Sequence, residues 1–270
     1  MFTPFAFFQG VSTPPVSTYL LDTYPGANIA YSIRRLNSAY TGSAFQAQRV
    51  SDSAVQDIGF IGENLDTAAL TTFAAGGDTR VKIWYDQSGN GRNLTGYPNA
   101  ATIPSITNTS GVIETNANGN IALKFGVNKA LTLTFPSAVA QPTHYFTVNE
   151  NTIPSRDRHM VDGAGVNRQL IGYTWENENQ VLFAGAILNG GIISTNTIIL
   201  ESLFNGVNSK LAWNNLPGVT GNAGNNSLQP LYLGTGSWFG SITEFIQYAS
   251  NQTANSVGIK TNQNTYYSVY

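Results

Sequence analysis

Residues 80–95 read RVKIWYDQSGNGRNLT. Val81, Ile83, Trp84 and Tyr85 are β-branched or aromatic, so the first six residues read as a strand. Asp86 then opens a run of Gln87, Ser88, Gly89, Asn90 and Gly91. Glycine reaches positive φ without steric cost, and an aspartate can accept backbone N–H groups across a short turn. The stretch therefore predicts a strand delivering a tight turn, and with it a β-sheet protein. A ligand-binding loop is the second reading. Calcium is the third, through Asp86, Asn90 and nearby carbonyls, although one carboxylate is thin for an ion that takes about six to eight oxygens. Arg92 and Arg49 are the natural counter-charges for Asp86.

Working outward, the downstream half is a series of short apolar or alternating runs. They fall at residues 121–125, 130–135, 143–148, 169–173, 180–188, 197–204, 209–213, 230–234 and 240–248, with Gly, Asn and Asp between most of them. Strands at this pitch predict a two-sheet sandwich with interdigitating inner faces. Upstream, Ala30, Ile33, Leu36 and Tyr40 predict a short helix over residues 27–40. Residues 45–50 read as a strand, and Leu70 and Phe73 place a second helix over 66–75, stopped by Gly76 and Gly77. Residues 251–266 predict a closing helix. Residues 1–25 read as an arm broken by prolines, and 26–270 as one domain whose first hundred residues carry the helices and turns.

The 270 residues contain 13 Lys+Arg and 15 Asp+Glu, a net charge of −2, which argues against a phosphate-tracking surface and so against nucleic acid as a partner. The 27 glycines and 11 prolines, with many Asn and Thr, suit tight turns and a surface of amides and hydroxyls, as on extracellular and virion proteins. Cysteine is absent, which removes disulfides and thiolate chemistry, and the two histidines, His144 and His159, cannot make a histidine-rich metal site. No metal site and no cofactor are expected beyond the calcium alternative. The opening MFTPFAFFQGVSTPP lacks a basic start and a cleavage site, so it does not read as a signal peptide. No apolar run has the length of a membrane span. Phe2, Phe5, Phe7 and Phe8 would either pack back on the domain or be hidden against a neighbouring chain. The second reading makes them an assembly contact of a homo-oligomer, with a trimer preferred.

Sugar recognition needs an aromatic platform edged with polar groups. Trp175, Trp213, Trp238 and Tyr173 are the glycan-binding candidates, with Tyr97 also considered. Trp238 lies between Gly236 and Gly240, and Trp175 lies in the polar segment TWENENQ, so both read as exposed. Asp162, Glu176, Glu178, Glu201 and Glu244 are available as carboxylates, but their spacing singles out no pair facing one sugar. No catalytic residue is assigned. Asp52 and Asp57 read as polar ties to Arg34, Arg35 and Arg49. His144 reads as a packed strand residue and His159 as a loop residue.

The blocks AYSIRRLNSAYTGSAFQAQRVSDSAVQDIGF, LDTAALTTF and VKIWYDQSGNGRNLT resemble two settings. One is the catalytic β-domain of arabinofuranosidase B-type enzymes, whose comparable stretch matches Tyr40, Gly42, Arg49, Ser51, Asp52 and residues 85–89. The other is the set of concanavalin A-like, laminin-G-like modules of bacteriophage virion and bacterial surface proteins, which the closing WFGSITEFIQYASNQTANSVGIKTNQNTYY also resembles. The resemblance implies an all-β concanavalin A-like jelly roll with a few short helices. The enzymes it resembles are held by disulfides and follow a leader, and this chain has neither feature. The expectation is therefore a non-enzymatic virion structural protein, a decoration, spike or tail component with other virion proteins as partners. It would have a lectin-like role in host attachment through surface glycans, and its place would be virion or extracellular. A glycoside hydrolase of arabinofuranosidase type and a non-viral extracellular carbohydrate-binding module are the alternatives.

Overall fold

A computed structural model describes residues 19–96, 102–152, 158–173, 179–191, 195–235 and 238–270. The N-terminal part holds α1 (Leu20–Thr23), β1 (Ile29–Ser32), β2 (Phe45–Arg49), β3 (Val55–Ile58), β4 (Phe60–Ile61), β5 (Asn64–Leu65), α2 (Thr67–Ala74), β6 (Thr79–Trp84) and β7 (Leu94–Gly96). Then follow β8 (Ser105–Thr107), β9 (Leu123–Lys124), β10 (Leu131–Leu133), β11 (Thr143–Asn151), β12 (His159–Asp162), β13 (Leu170–Tyr173), β14 (Gln180–Phe183) and β15 (Ile187–Gly191). The chain closes with β16 (Thr197–Phe204), β17 (Ser209–Trp213), β18 (Val219–Gly221), β19 (Leu231–Thr235), β20 (Gly240–Tyr248) and α3 (Ser256–Tyr267).

The protein is all-β. Every ladder is antiparallel, and all the strands except the β4–β5 hairpin join one nearly closed sheet. One arm runs β18–β17–β16–β11–β20, and β20 then pairs with both β1 and β9. The other runs β3–β2–β6–β7–β10–β19–β12–β13–β14–β15, and β8 links β6 to β9. The arms enclose one core in which Tyr31, Phe45, Trp84, Tyr145, Phe204 and Phe245 are buried. A second, smaller cluster lies outside β11 and β20, where Phe146, Ile246 and Tyr248 meet Leu20, Leu21 and Ile259. The last residues of the expected arm are thus packed on the domain. Phe2, Phe5, Phe7 and Phe8 lie outside the described residues.

The strands predicted over 45–50, 80–85 and the downstream runs are present, with 180–188 divided at Gly185 (φ +103°) into β14 and β15. Helix α2 is capped as its sequence suggests, since the Asp66 carboxylate accepts Ala69 N–H at 2.9 Å and Ala75 ends it in the left-handed region. The helix predicted over 27–40 is instead β1. Ile29 and Tyr31 face the main core while Ala30 faces the outer cluster, so both sides of this strand are apolar. A strand covered on both faces shows no alternation, and its apolar residues can mimic a helical period.

Candidate functional site

The opening turn is held by its aspartate. Asp86 Oδ1 accepts Ala30 N–H and Ser88 N–H at 2.9 Å each. Asp86 Oδ2 accepts Ser88 Oγ–H at 2.8 Å and Arg92 N–H at 3.0 Å. Asn90 Nδ2 donates to the carbonyls of Ala27 and Asn28 at 3.1 Å. With roughly four lone-pair sites on a carboxylate, four donors leave Asp86 nothing to offer a cation. Gly89 and Gly91 sit at φ +91° and +67°, as the turn requires. Arg92 meets Asp86 through its main chain, and Arg49 pairs with Asp52 at 2.7 Å. Neither guanidinium is the counter-ion of Asp86. Among the described residues no group of three or more His, Cys, Asp or Glu could hold a metal ion.

Three of the candidate carboxylates are closed off. Glu201, on β16, is buried and takes Lys210 Nζ at 2.9 Å, Lys260 Nζ at 2.8 Å and His144 Nε2 at 3.3 Å. Burial alone would raise its pKa, but these neighbours hold the carboxyl well below the usual range. Glu244, on β20, receives Arg34 Nε at 2.8 Å, Tyr267 O–H at 2.9 Å, Ser32 Oγ–H at 3.0 Å and Gln263 Nε2 at 3.1 Å, with no solvent exposure. Asp162, on β12, is bound on both oxygens: Arg168 Nε at 2.7 Å and Gly163 N–H at 2.8 Å reach Oδ1, while Arg168 Nη2 and His159 Nδ1 reach Oδ2 at 3.0 Å. Burial opposes its ionisation, and His159 and Arg168 overcome that and lower its pKa. Glu176 and Glu178 lie outside the described residues.

The open polar chemistry lies at one end of the sheet. Asn151 pairs with Gly240, Glu150 with Thr197, His159 with Thr235, Tyr173 with Gln180, and Gln180 with Gly191. The ends of β11, β13, β15 and β19 therefore stand beside the starts of β12, β14, β16 and β20. Here, among the described residues, Asn151 Oδ1 and Nδ2, Thr235 Oγ1 and Arg158 Nη1 are buried polar atoms without a hydrogen-bond partner. A buried unpaired polar group costs about 1–3 kcal/mol, so a cluster of them marks a place where partners are supplied from outside the fold.

Of the glycan-binding candidates, Tyr173 and Trp238 come together at this end, the phenol lying against the indole. Trp238 is buried rather than exposed, with its ring 5.5 Å from Phe125. Trp213 is half-buried at the end of β17 and packs on the main core. Trp175 and Tyr97 lie outside the described residues. Sequence reasoning did not single out Asn151, Arg158 or Thr235, because an unmet hydrogen bond leaves no trace in residue order.

A family model described as "Alpha-L-arabinofuranosidase B, catalytic" matches residues 15–163. The probable alpha-L-arabinofuranosidase B of Aspergillus terreus is 37% identical over 90 residues, covering 33% of this chain and 18% of the relative. The alpha-L-arabinofuranosidase of Hypocrea jecorina is 36% identical over 89 residues with the same coverage. Among solved structures, a Glu-to-Gln variant of a glycoside hydrolase family 54 α-L-arabinofuranosidase soaked with 4-nitrophenyl α-L-arabinofuranoside superposes with a TM-score of 0.66 at 17% identity, over 90% of this chain and 63% of that one. An arabinofuranosidase complexed with arabinofuranosyl-alpha-1,2-xylobiose gives 0.62 at 16% over the same spans. At that identity the likeness is one of fold. The chain spans less than a fifth of the curated relatives and under two thirds of the solved chains. The family match overturns the expectation of a non-enzymatic bacteriophage structural component with other virion proteins as partners, since the matched model describes a catalytic domain. The block that resembles both settings lies within the residues that match the enzyme family.

Proposed function

Because the chain belongs to the alpha-L-arabinofuranosidase B catalytic family, we propose that it is a glycoside hydrolase cleaving α-L-arabinofuranosyl linkages outside the cell. The family match over residues 15–163 carries this reading. The unpartnered atoms of Asn151 and Thr235 support it, since sugar hydroxyls both donate and accept hydrogen bonds. We read the two facing arms of the sheet as a concanavalin A-like jelly roll.

Glycoside hydrolysis ordinarily needs two carboxyl groups, one to protonate the leaving oxygen and one to attack or to activate water. Glu201 and Glu244 are sealed in ion-pair networks, and both oxygens of Asp162 are taken. Asp162 is thereby a positioning residue that fixes His159 and Arg168 beside the site. Among the five candidate carboxylates this elimination leaves Glu176 and Glu178, in the connection that joins Tyr173 to β14. We assign carboxylate chemistry to that connection.

The test is release of 4-nitrophenol from 4-nitrophenyl α-L-arabinofuranoside by wild type, Glu176→Gln and Glu178→Gln. Wild-type turnover is expected, with kcat lowered at least about a hundredfold in one of the two variants. No turnover by wild type on this substrate or on arabinan sinks the enzymatic reading. Full activity in both variants sinks the assignment of the carboxylates.

A further inference from the structure

At the opposite end of the sheet lies a hollow of about 370 Å³ lined by Asn28, Arg92, Phe135, Pro136, Val139 and Gln141, among others. Its position follows from register. Asn28 precedes β1, whose Ile29 pairs with Gln247 near the end of β20, whereas the polar cluster at Asn151 faces Gly240 at the start of β20. The two places are separated by the length of that strand.

Three arginines meet a carboxylate through the side-on fork of Nε and Nη2, whereas Arg80 reaches Asp78 through Nη2 alone. Arg34 puts that fork on Glu244 (2.8 and 3.3 Å), Arg49 on Asp52 (3.0 and 2.7 Å) and Arg168 on Asp162 (2.7 and 3.0 Å). Arg92 is held without any carboxylate. Its Nη1 is held by the carbonyl and the side-chain oxygen of Asn28, and its guanidinium lies 5.9 Å from the centre of the Phe135 ring. Its Nε and Nη2 make no hydrogen bond, and no carboxylate lies within ion-pair range of it among the described residues. Asp86, the carboxylate next along the turn, already accepts four donors and meets Arg92 only through the main chain. A guanidinium held through one nitrogen, with its carboxylate-matching edge unfilled, is pre-organised for an anion that binds in two places at once.

The rest of the hollow limits what that anion is attached to. Phe135 is buried beneath the Arg92 guanidinium, and Pro136, Ala138, Val139 and Ala140 give the hollow an apolar wall, which suits a ring's C–H face more than a bare ion. The volume is at the low end of the roughly 300–1,000 Å³ of small-molecule sites, enough for a single ring. Gln141 does not take part, because its amide is consumed by the carbonyls of Gly224 and Asn226 and by Gly206 N–H. Ser137 remains at the rim as a hydroxyl partner. We infer that this hollow is a binding site for a sugar acid, a uronic acid residue whose carboxylate takes the Nε/Nη2 edge of Arg92 while its ring lies along Pro136 and Val139.

This inference does not depend on the arabinofuranosidase reading, and binding is measured without turnover. Sodium glucuronate, glucose and sodium acetate are titrated separately into wild type, Arg92→Gln and Arg92→Lys, followed by saturation-transfer NMR and calorimetry. Thermal melting confirms that each variant is folded. Glucuronate is expected to bind wild type at least about tenfold more tightly than either control. Arg92→Gln should lose about tenfold or more, and Arg92→Lys, which keeps the charge but not the fork, should lose most of that. Equal binding of glucose removes the carboxylate from the argument, and equal binding of acetate leaves a plain anion site and removes the sugar. Undiminished binding in folded Arg92→Gln, or no binding of glucuronate to wild type, overturns the site altogether.

Discussion

Arg34 and Glu244 meet at 2.8 Å with neither side chain open to solvent, and this one pair ties three parts of the chain together. Arg34 follows β1, Glu244 lies mid-strand in β20, and Tyr267 and Gln263 of α3 complete the hydrogen bonds of the carboxylate. The guanidinium also lies 4.7 Å from the centre of the Tyr266 ring, reaches Asn262 at 2.8 Å and holds Glu63 at 3.2 Å. Burial disfavours the charge on Arg34, yet Glu244 and its neighbours keep its pKa above the usual value. Removing one member of a buried pair strands the other, at a cost of about 3–5 kcal/mol. Arg34→Met should therefore lower unfolding stability in urea by that amount. The double variant Arg34→Met/Glu244→Leu should recover part of it. A single-variant loss below about 1 kcal/mol would mean that water reaches the pair.

The turn at Asp86 gives a second expectation. Asp86→Ala orphans the main-chain N–H groups of Ala30, Ser88 and Arg92, and should cost about 2–4 kcal/mol in chemical denaturation. Asp86→Asn keeps an acceptor oxygen and should cost less. Because four donors fill the carboxylate, the melting temperature should be the same in EDTA and in millimolar calcium. A rise with calcium would restore the third reading of the turn.

His144 and Glu201 predict how stability responds to acid. His144 is buried, and burial lowers its pKa despite Glu201 beside it, so the native state keeps the ring neutral where the unfolded chain protonates it. Between the unfolded value of about 6.5 and the lower native one, the unfolded state binds more protons, so stability falls as pH falls. Glu201 acts in the same direction further down. Its native pKa is depressed by His144, Lys260 and Lys210, so its contribution is full above about 4.3 and is lost as pH drops through the native value. Wild type should lose stability from about pH 6.5 downward, in advance of carboxylate titration. His144→Gln should flatten that first part of the curve and leave the acidic limb. An unchanged slope above pH 5 would show that His144 is charged in the native state.

The strands were legible wherever one face is wet or a Gly, Asn or Asp marks the turn, as with Arg80–Tyr85 before the Asp86 loop. Reading failed where packing overrode pattern. Ile29–Ser32 is apolar on both faces and resembled a helix. Trp238 resembled a loop residue because Gly240 follows it, but that glycine serves packing, since a Cβ there would lie 2.4 Å from the Trp238 ring. The ion pairs Lys260–Glu201 and Arg34–Glu244 span 59 and 210 residues, distances at which a sequence gives no pairing signal. The site end was half visible, through Tyr173 and Trp238. Its unmet polar atoms belong to register: Thr235 opposite His159, Asn151 opposite Gly240.

Thr235 allows the polar end to be tested without removing an aromatic ring. Its Oγ1 is buried with no partner among the described residues, on a β-strand where valine has the same shape. If the hydroxyl waits for a sugar, the free protein carries an unsatisfied group that the bound protein does not. Thr235→Val should then stabilise the free protein by about 1 kcal/mol, since an orphaned buried hydroxyl is replaced by a methyl. The same change should raise KM for the chromogenic arabinofuranoside about three- to tenfold, with kcat within a factor of two, because the lost contact is made equally in ground and transition states. Melting curves and initial rates on the same preparation read both effects. A lower melting temperature would show that Oγ1 is satisfied in the free protein. A raised melting temperature with unchanged KM would place the sugar elsewhere on the sheet.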